Sequence, residues 1–325
     1  MRAATFNLES FGSEKLEPEE LAPRIAALRP QLEALEADIL CLQEVNAQHV
    51  DGQDIRAFTA LDALLKGTRY ETFHRVWSLR ADGKGPADRH SIVIVSRHPL
   101  EAAQSLWWQR VDPPLWRPVQ ATPALPGREP FSFDRPILQT AARLPDGRKL
   151  HLFSVHMRAP IAAPIPGGKA SAHAWNTAPA WAEGLFLASM KRIAQALELR
   201  LAIDAVFDAE DDPLIFAAGD FNAGGVEPAL RIIAADPEET GNPALRHRHM
   251  RLLDRDIDKR LRHSVLHHGR GRMLDHILAS PRLAETAGTV RVLNARLEDE
   301  ADSESTVGSY HAPVVAEFDL NSGGS

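Results

Sequence analysis

The sequence predicts one α/β domain, and two observations indicate it. Short apolar runs of strand-like composition recur along the chain, and segments with helical spacing interleave with them from end to end. No internal repeat, shift of composition or low-complexity linker separates one half of the chain from the other. We therefore expect a single domain over residues 1–320. Residues 321–325 read as a disordered tail or an expression scar.

Apolar runs predict the strands, because their β-branched and aromatic content suits buried or half-buried extended chain. Each run has the length of an ordinary strand. In chain order the runs span residues 4–8, 39–45, 91–96, 138–144, 150–156, 214–218, 276–279, 290–295 and 314–320.

Two segments predict helices. The first is an apolar stripe that Pro30 interrupts, so a kink or a break is expected there. Its members are Ile25, Leu28, Leu32 and Leu35. The second, residues 179–207, is the clearest helical pattern, and its apolar stripe predicts a face of the core. That stripe comprises Leu187, Met190, Ala194, Leu197 and Leu201.

The composition is that of a soluble globular protein with a real core. Apolar residues make up 44% and charged residues 25% of 325 positions. No run approaches the roughly 18 uninterrupted apolar residues of a membrane span, and the N-terminus shows no secretory signal pattern. The single cysteine, Cys41, lies inside an apolar run and is expected to be a buried, inert thiol. These features favour a cytoplasmic location.

The formal net charge of −7 argues against indiscriminate binding to a polyanion. The charge is uneven, however, since residues 246–272 hold nine Lys or Arg, three Asp and five His, a local excess of +6. This segment is either a solvated basic surface or an electropositive rim over a phosphate site. Nucleic acid therefore stays an open partner, although the overall charge does not favour it.

Several predicted strands end in acidic, amide or imidazole groups. Strand ends hold polar side chains in place while leaving them open to a ligand, so this pattern predicts one functional site. The segments are Thr5-Phe-Asn7, Cys41-Leu-Gln-Glu-Val45, Phe153-Ser-Val-His156, Ala218-Gly-Asp-Phe-Asn222, Met273-Leu-Asp-His276 and, before the last strand, Ser309-Tyr-His-Ala-Pro313.

Glu44 ends an apolar strand, where a carboxylate needs a positive partner to offset its desolvation. A hard divalent cation such as Mg²⁺ supplies such a partner, and Asn7 offers an additional amide oxygen. Each residue also has an ordinary structural reading, as a polar strand end at the sheet rim or as a turn residue.

The segment around Asp220 is more specific. Gly219 permits a sharp turn, and alternation along extended chain puts Asp220 and Asn222 on the same side. A carboxylate that orients or deprotonates water, beside an amide that holds a phosphoryl oxygen, suits phosphoester hydrolysis. A structural Asx turn is the alternative.

Two histidines are candidates for the same chemistry. His156 is either a donor to developing phosphate charge or a structural histidine. His311 follows Asp275 by 36 positions, and a pairing between them would fix the tautomer of the imidazole. His276 points to the opposite face from Asp275 in a strand, so it is read as structural.

Together these segments resemble the endonuclease/exonuclease/phosphatase family, which includes pancreatic-type deoxyribonucleases, abasic-site endonucleases, neutral sphingomyelinases and inositol-polyphosphate 5-phosphatases. The similarity spans residues 3–318, and the strand Ser91-Ile-Val-Ile-Val-Ser96 resembles the one that follows the family's substrate loop. The motifs keep the family order: Thr-Phe-Asn7, Leu-Gln-Glu44-Val, Ser-Val-His156, Gly-Asp220-Phe-Asn222, Leu-Asp275-His and Tyr-His311-Ala-Pro-Val.

The resemblance implies a four-layer α/β sandwich, with two packed, mainly antiparallel β-sheets flanked by helices. It also implies a divalent-metal-dependent phosphoesterase, with phosphodiesters narrowly preferred to monoesters. A Mg²⁺ or Mn²⁺ ion would be held by Glu44 with Asn7 nearby. Metal Lewis-acid assistance and water activation would then carry much of the rate.

The resemblance further implies roles for the remaining motif residues. Asp220 and Asn222 would position the attacking water and the phosphate, and His156 would contact a phosphate oxygen. Asp275 would orient His311, which serves as the general base or as a proton carrier near the attacking or leaving group.

One position departs from the family pattern. The closing motif usually has an aspartate before its histidine, where this sequence has Tyr310. A phenol with a pKa near about 10 does not replace a hard carboxylate ligand at neutral pH. One catalytic metal is therefore expected and a second is in doubt, and Tyr310 is expected to hydrogen-bond the substrate instead.

The substrate is not specified by the sequence. Arg135 and Lys169, on loops near the expected cleft, are candidate phosphate contacts. Trp107, Trp108 and Trp116 would stack bases, meet a lipid interface or cover the fold. DNA, RNA, a phospholipid, a sugar phosphate and a small diester all remain open.

Two other functions compete with this prediction. One is a non-catalytic binding or regulatory protein of the same fold, with chemistry lost through Tyr310. The other is an unrelated zinc hydrolase that uses the histidines of residues 246–272, although no HExxH or Cys/His zinc pattern is present.

Overall fold

The computed structural model of the chain describes residues 1–13, 18–302 and 306–320, so the predicted tail at 321–325 lies outside the described residues. The strands are β1 (Arg2–Phe11), β2 (Ile39–Val45), β3 (His74–Trp77), β4 (Ser91–Ser96), β5 (Gln104–Leu106), β6 (Leu115–Trp116), β7 (Glu129–Pro130), β8 (Ile137–Arg143), β9 (Lys149–His156), β10 (Leu214–Asp220), β11 (Arg251–Leu252), β12 (Val265–His267), β13 (Arg270–Arg272), β14 (Asp275–Ala279), β15 (Ala287–Val292) and β16 (Val314–Phe318). The helices are α1 (Pro18–Leu35), α2 (Thr59–Leu65), α3 (Ala178–Ala209), α4 (Pro228–Ala234), α5 (Pro237–Thr240) and α6 (Pro281–Ala284), with short 3₁₀ turns at Pro243–Arg248 and Leu253–Asp256. Each of the predicted strands is found, within a few residues of its expected bounds.

Two six-stranded sheets dominate the described chain. The first has the order β15-β16-β1-β2-β4-β3 and the second the order β11-β14-β10-β9-β8-β5. One central pair in each sheet is parallel, β1 with β2 and β9 with β10, and the other neighbours are antiparallel. Two small hairpins, β6-β7 and β12-β13, lie outside these sheets. The predicted pair of mainly antiparallel sheets is confirmed.

The core lies between the sheets and follows the period of two along each strand. On β10, Leu214, Phe216 and Ala218 face the first sheet, whereas Ile215 and Ala217 face helix α3. Strand β2 alternates in the same way between the second sheet and helix α1. Both faces of the central strands are therefore buried, which explains why their sequences are continuous apolar runs.

Helices cover the outer face of each sheet and complete the four layers. Helices α1 and α2 pack on the first sheet, and α3 and α4 pack on the second. Of the kink or break expected at Pro30, the break is wrong, since α1 continues from Pro18 to Leu35. A proline removes one backbone donor from the helix, but Leu28, Leu32 and Leu35 on either side of it are fully buried and hold the helix on the sheet.

Helix α3 is confirmed, but its predicted stripe is only partly a core face. Leu187 and Ala194 are buried, whereas 39% of Leu197 is exposed. The buried face is rotated from the predicted one, because it also takes up charged side chains. Its fully buried apolar members are Ala196, Leu199, Ala202 and Ile203, and its buried charged members are Glu183, Arg192, Glu198 and Arg200.

Two of these buried carboxylates anchor the proline- and tryptophan-rich segment 107–136 on helix α3. Glu198 accepts hydrogen bonds of 2.9–3.1 Å from the backbone N–H groups of residues 109, 110 and 111. Glu183 accepts from Trp116 Nε1 at 3.0 Å and from the N–H groups of residues 119 and 120 at 2.8 Å. Trp108 stacks on Phe133 with ring centroids 3.6 Å apart. These contacts favour the interpretation of Trp108 and Trp116 as a cover of the fold.

None of the helices within the described ranges combines the length and the apolar character needed to cross a bilayer.

Cys41 offers a check on the packing between the sheets. It is fully buried on β2, and burial raises the pKa of its thiol to about 12. We expect the native protein to be unreactive toward a thiol reagent such as dithionitrobenzoate at pH 8, because only the thiolate reacts. The urea-unfolded chain is expected to react with one equivalent, measured by absorbance. Rapid labelling of the native protein would contradict the burial of this strand.

Candidate active site

The alternation that buries the core also brings polar side chains to one end of the sandwich. On β10, Asp220 follows Phe216 and Ala218 on the face toward the first sheet. Its register partner on β9 is His156, and its register partner on β14 is Asp275. Three neighbouring strands thus present two carboxylates and an imidazole side by side, and all three side chains are at least 97% buried.

The first sheet contributes Asn7 and Glu44, where its strands are irregular. The pairing of β1 with β2, and that of β2 with β4, shifts register at this level. Strict alternation places Glu44 on the side of helix α1, opposite Gln43. The left-handed backbone of Glu44 (φ 57°) turns its carboxylate toward Asn7 and His156 instead.

Left-handed backbone is concentrated around this end of the sandwich. Glu9, Ser10, Glu44, His90 and Asn222 have φ values of 49–57°, which cost a residue other than glycine on the order of 1 kcal/mol each. Hydrogen bonds hold several of them: the backbone N–H of Glu9 donates to Asn7 Oδ1 at 3.0 Å, and that of Ser10 donates to Glu44 Oε2 at 2.9 Å. Strain held in place by such bonds is typical of functional sites.

The turn after β10 is fixed from both sides. Asn222 donates to Asp220 through its backbone N–H, 2.8 Å from Oδ1, and through Nδ2, 2.9 Å from Oδ2. Behind the turn, His276 Nε2 lies 2.8 Å from the carbonyl oxygen of Ala223, and its Nδ1 lies 3.0 Å from Asp254 Oδ2. His276 is fully buried. It therefore supports the turn, as the structural reading predicted.

His311 and Asp275 meet despite their separation in sequence. His311 Nδ1 lies 2.7 Å from Asp275 Oδ2, and its Nε2 lies 4.0 Å from Asp220 Oδ2. Ser309 holds the loop in place, since its hydroxyl donates to the carbonyl oxygen of Asn7 at 2.7 Å and accepts from the backbone N–H of His311 at 3.0 Å. The pairing orients the free edge of the imidazole toward Asp220.

A second group gathers around Glu44. His90 Nδ1 lies 3.1 Å from Glu44 Oε2, and His156 Nε2 lies 3.5 Å from both Glu44 Oε1 and Asp220 Oδ2. Asn7 Nδ2 donates to the same two carboxylates at 3.3 Å and 3.2 Å. The amide oxygen of Asn7, which was expected near the metal, does not face the carboxylates. The amide nitrogen of Asn7 faces them, and its oxygen accepts from the backbone N–H of Glu9.

The pKa values of Asp220 and His311 are perturbed together. Burial, and then the nearby charge of Asp275, raise the pKa of Asp220 to about 7, although the charge of His311 opposes this. Burial alone would lower the pKa of His311, but the charges of Asp275 and Asp220 raise it well above its ordinary value. Near neutral pH the pair is therefore an imidazolium beside a carboxylate that readily takes up a proton.

The pKa values of Glu44 and His156 are both lowered, whereas those of Asp220 and His311 are both raised. Burial tends to raise the pKa of Glu44, but the close approach of His90 and the charges of His156 and Arg135 bring it below its ordinary value. Burial and the charge of Arg135 lower the pKa of His156 well below its ordinary value, so this imidazole is neutral. The site thus contains an ionised carboxylate, Glu44, beside a neutral nitrogen donor.

Glu44, His156, Asp220, Asn222 and His311 line one cavity of about 370 Å³. Its lining also includes Arg135 and Tyr310, the latter only 8% exposed, and their contact with a substrate stays a prediction. Lys169 is not among the lining residues. It is exposed on a loop, where its amino group donates to the carbonyl oxygen of Ala172 at 2.9 Å and lies 5.1 Å from the Trp175 ring centroid. The expectation that Lys169 reaches the cleft is wrong.

Five residues at the site were not recognised in the sequence. His90 contacts Glu44, and the others line the cavity: Glu9, His267, Arg272 and Glu300. His90 directly precedes the strand 91–96, so its place beside a recognised motif is a usable signal. His267 and Arg272 belong to the basic segment 246–272, part of which therefore forms a rim of the cavity. Glu9 and Glu300 lie on irregular chain that no pattern marks.

Gly219 allows the two strands to approach, and its replacement tests this packing. It has a φ of 151°, and a Cβ there would lie 2.0 Å from the carbonyl oxygen of Val155. Gly147→Ala is a matched control, because Gly147 also has positive φ (88°) but nothing within 4 Å of a Cβ. We expect Gly219→Ala to lower the free energy of unfolding in urea by about 3 kcal/mol or more, from strain and overlap together, and the control by about 1 kcal/mol. Equal losses would contradict the close approach.

Comparison with known proteins supports the assignment of the fold. Residues 4–311 match the model of the Endonuclease/Exonuclease/phosphatase family, whereas no curated protein matches the sequence. The chain is similar to the crystal structure of an endonuclease/exonuclease/phosphatase family protein from Bacteroides thetaiotaomicron, with a TM-score of 0.59 and 13% identity over 100% of this chain and 97% of that one. For humanized D. rerio TDP2 the values are 0.56 and 14%, over 98% and 99%. For the 3′-5′ exonuclease NExo from Neisseria meningitidis they are 0.51 and 20%, over 98% and 100%.

Two packed sheets bring carboxylates and imidazoles together at one end, and this arrangement, with the family match, supports a phosphoesterase. Because the family match extends over nearly the whole chain, the protein belongs to the endonuclease/exonuclease/phosphatase family.

Proposed function

We propose that this protein is a divalent-metal-dependent hydrolase of phosphoester bonds that prefers phosphodiesters. One observation carries the proposal: residues from both sheets meet in a single cavity, with Glu44 on one side and the Asp220, Asp275 and His311 group on the other. Neither sheet alone contains the site. Residues 1–320 are therefore proposed to act as one catalytic domain.

The donor set around Glu44 fits a bound divalent ion. Its carboxylate is ionised and largely buried, and a buried charge of this kind needs a cation to offset its desolvation. Mg²⁺ or Mn²⁺ would be held by Glu44, with Asn7 close enough to join if its amide oxygen leaves Glu9. When bound, such an ion supplies Lewis-acid stabilisation and lowers the pKa of a ligated water.

One metal position is proposed. The second group of potential ligands, Asp220, Asp275 and His311, is already engaged in its own hydrogen bond of 2.7 Å between His311 and Asp275. Tyr310 also stands where the family has an aspartate, so the hard carboxylate of that position is missing. The group is better suited to proton transfer.

Asp220 and His311 have separate roles in proton transfer. A water lying between Asp220 Oδ2 and His311 Nε2, 4.0 Å apart, would donate its proton to the carboxylate. His311, held as an imidazolium by Asp275, would donate to a phosphoryl oxygen or to the leaving group. Asn222 and neutral His156 would hold the remaining phosphoryl oxygens. Arg135, which donates to the same carbonyl oxygen of Met157 as Asn222, would balance their charge.

The charges of the cavity do not by themselves select a diester. Its lining carries the carboxylates of Glu9, Glu44, Asp220 and Glu300, and these are balanced by Arg135, Arg272, the imidazolium of His311 and the proposed metal ion. The preference for a diester therefore rests on the family resemblance. Tyr310 would contribute a hydrogen bond to the substrate rather than a charge.

A nuclease acting on DNA or RNA is the second candidate, and the β12-β13 hairpin favours it. The hairpin borders the cavity with His267 and Arg272, and all three residues of β13, Arg270–Arg272, are exposed. Such a rim would neutralise phosphates on either side of the scissile bond. The net charge of −7 argues against a basic surface that extends beyond this edge of the cavity.

A substrate panel tests the proposal. Purified protein is assayed with Mg²⁺, Mn²⁺ or Co²⁺ on bis-p-nitrophenyl phosphate, p-nitrophenyl phosphate, plasmid DNA, single-stranded RNA and phospholipid. Metal-dependent release of nitrophenol from the diester, faster than from the monoester, is the expected result. Activity on none of these substrates with any metal would leave the non-catalytic reading standing. The cytoplasmic location stays a prediction from the single cysteine.

A further inference from the structure

His90 occupies a position that the proposed chemistry does not explain. It precedes β4 in a left-handed backbone conformation (φ 55°), and its N–H donates to Asn46 Oδ1 at 2.9 Å. This arrangement turns the ring toward Glu44, so that Nδ1 lies 3.1 Å from Oε2. The ring also lies edge to face with His156, with centroids 6.0 Å apart.

The contact between His90 and Glu44 does not have the geometry of a hydrogen bond. Among the described residues, the buried Nδ1 atom of His90 has no hydrogen-bond partner, despite its short distance to the carboxylate. A buried nitrogen without a partner is costly unless something else occupies its lone pair. Glu44, His90 and His156 each offer one atom to a group whose members lie within 4.8 Å of one another. Glu44 Oε2 and His90 Nδ1, 3.1 Å apart, are thus placed to share one ion, with His156 beside them.

Nitrogen ligands change which ion such a site selects. Mg²⁺ takes oxygen ligands in strict octahedral geometry, whereas imidazole suits ions of the first transition row. We propose that His90 is a nitrogen ligand of the ion held by Glu44, and that the site therefore prefers a transition-metal ion such as Mn²⁺, Co²⁺ or Zn²⁺ to Mg²⁺. This inference rests on the proposed metal-dependent function and specifies its cofactor.

Metal binding to the apo protein tests the proposal apart from activity. Affinities for Co²⁺ and Mg²⁺ are measured by isothermal titration calorimetry on the wild type and on His90→Asn, since asparagine tolerates the left-handed backbone. The wild type is expected to bind Co²⁺ at least about 100-fold more tightly than Mg²⁺. His90→Asn is expected to reduce this ratio at least about tenfold, by weakening Co²⁺ rather than Mg²⁺. In pulsed EPR of the Mn²⁺ complex, the variant is expected to lose one coupled nitrogen.

His98→Asn is the matched control, because His98 lies just beyond the other end of β4 and outside the group. It is expected to keep the wild-type ratio and nitrogen coupling. A ratio in His90→Asn within twofold of the wild type would overturn the inference. If Glu44→Ala nevertheless abolishes metal binding, the proposed metal-dependent function stands without His90 as a ligand. If the wild type binds none of these ions, the inference and the metal-dependent function are both wrong.

Discussion

Replacing His311 with alanine is expected to lower kcat/KM for bis-p-nitrophenyl phosphate by at least about 10²-fold, the scale of a lost proton donor or base. The imidazole lies between two carboxylates of the site, 2.7 Å from Asp275 Oδ2 and 4.0 Å from Asp220 Oδ2. Without it, Asp220 faces Asp275 with no positive charge between them. Steady-state kinetics with saturating metal provide the measurement, and His173→Ala, an exposed loop histidine, is the control.

The pH profile separates this role from a merely structural one. The acid limb of kcat/KM is expected near pH 7, where Asp220 must lose its proton. The charge of His311 lowers the pKa of Asp220, so His311→Ala moves this limb to higher pH. The charge of Asp275 raises the same pKa, so Asp275→Asn moves the limb to lower pH. An acid limb that moves in the same direction in both variants, or in neither, would contradict the coupling of Asp220 to His311 and Asp275.

Much of the fold followed from the periodicity of the chain. Each buried strand is a continuous apolar run, because helices cover one face of its sheet and the second sheet covers the other. The same alternation explains why residues at strand ends meet: Phe216, Ala218 and Asp220 share one face, and the register aligns Asp220 with His156 and Asp275. Local sequence was informative wherever the chain stays regular.

The parts of the site that depend on irregular backbone were not predictable from the sequence. Glu44 reaches the site only because β2 bulges, and His90 only because of its left-handed backbone. Neither conformation follows from the residue type. Lys169 lies on an exposed loop whose path no sequence pattern marks, and its amino group faces the Trp175 ring, not the cavity. On α3 the charged Glu198 is buried under the segment 107–136 while the apolar Leu197 beside it is exposed, the reverse of what polarity predicts.

The basic segment 246–272 shows how charge alone misleads about partners. At least four of its eight arginines pair with carboxylates: Arg248 with Asp208, Arg251 with Asp256, Arg255 with Asp236 and Arg260 with Asp258. Such exposed pairs leave little free positive field. Arg272 differs, since it lines the cavity. The electropositive rim is thus narrower than the local excess of +6 indicates.

Replacing Glu44 with glutamine is expected to lower kcat/KM by at least about 10²-fold and to weaken metal binding in parallel, because it removes the charge and keeps the shape. Its folded-state pKa is depressed, so its ionised form stabilises the fold at neutral pH, and this contribution is lost as the pH falls through that depressed pKa. Thermal melting of the apo variant at pH 7 therefore accompanies the kinetics and separates a local loss from unfolding.

Glu44→Asp is the matched control, since it keeps the charge on a shorter side chain. It is expected to retain more activity than Glu44→Gln, and more still at raised metal concentration, because only the reach of the ligand has changed. Two groups of potential ligands exist at this site, so the result also decides between them. If Glu44→Gln keeps wild-type activity and metal affinity while Asp220→Asn loses both, the ion lies at Asp220, Asp275 and His311. The group proposed for proton transfer would then hold the metal, and Glu44 would not be its ligand.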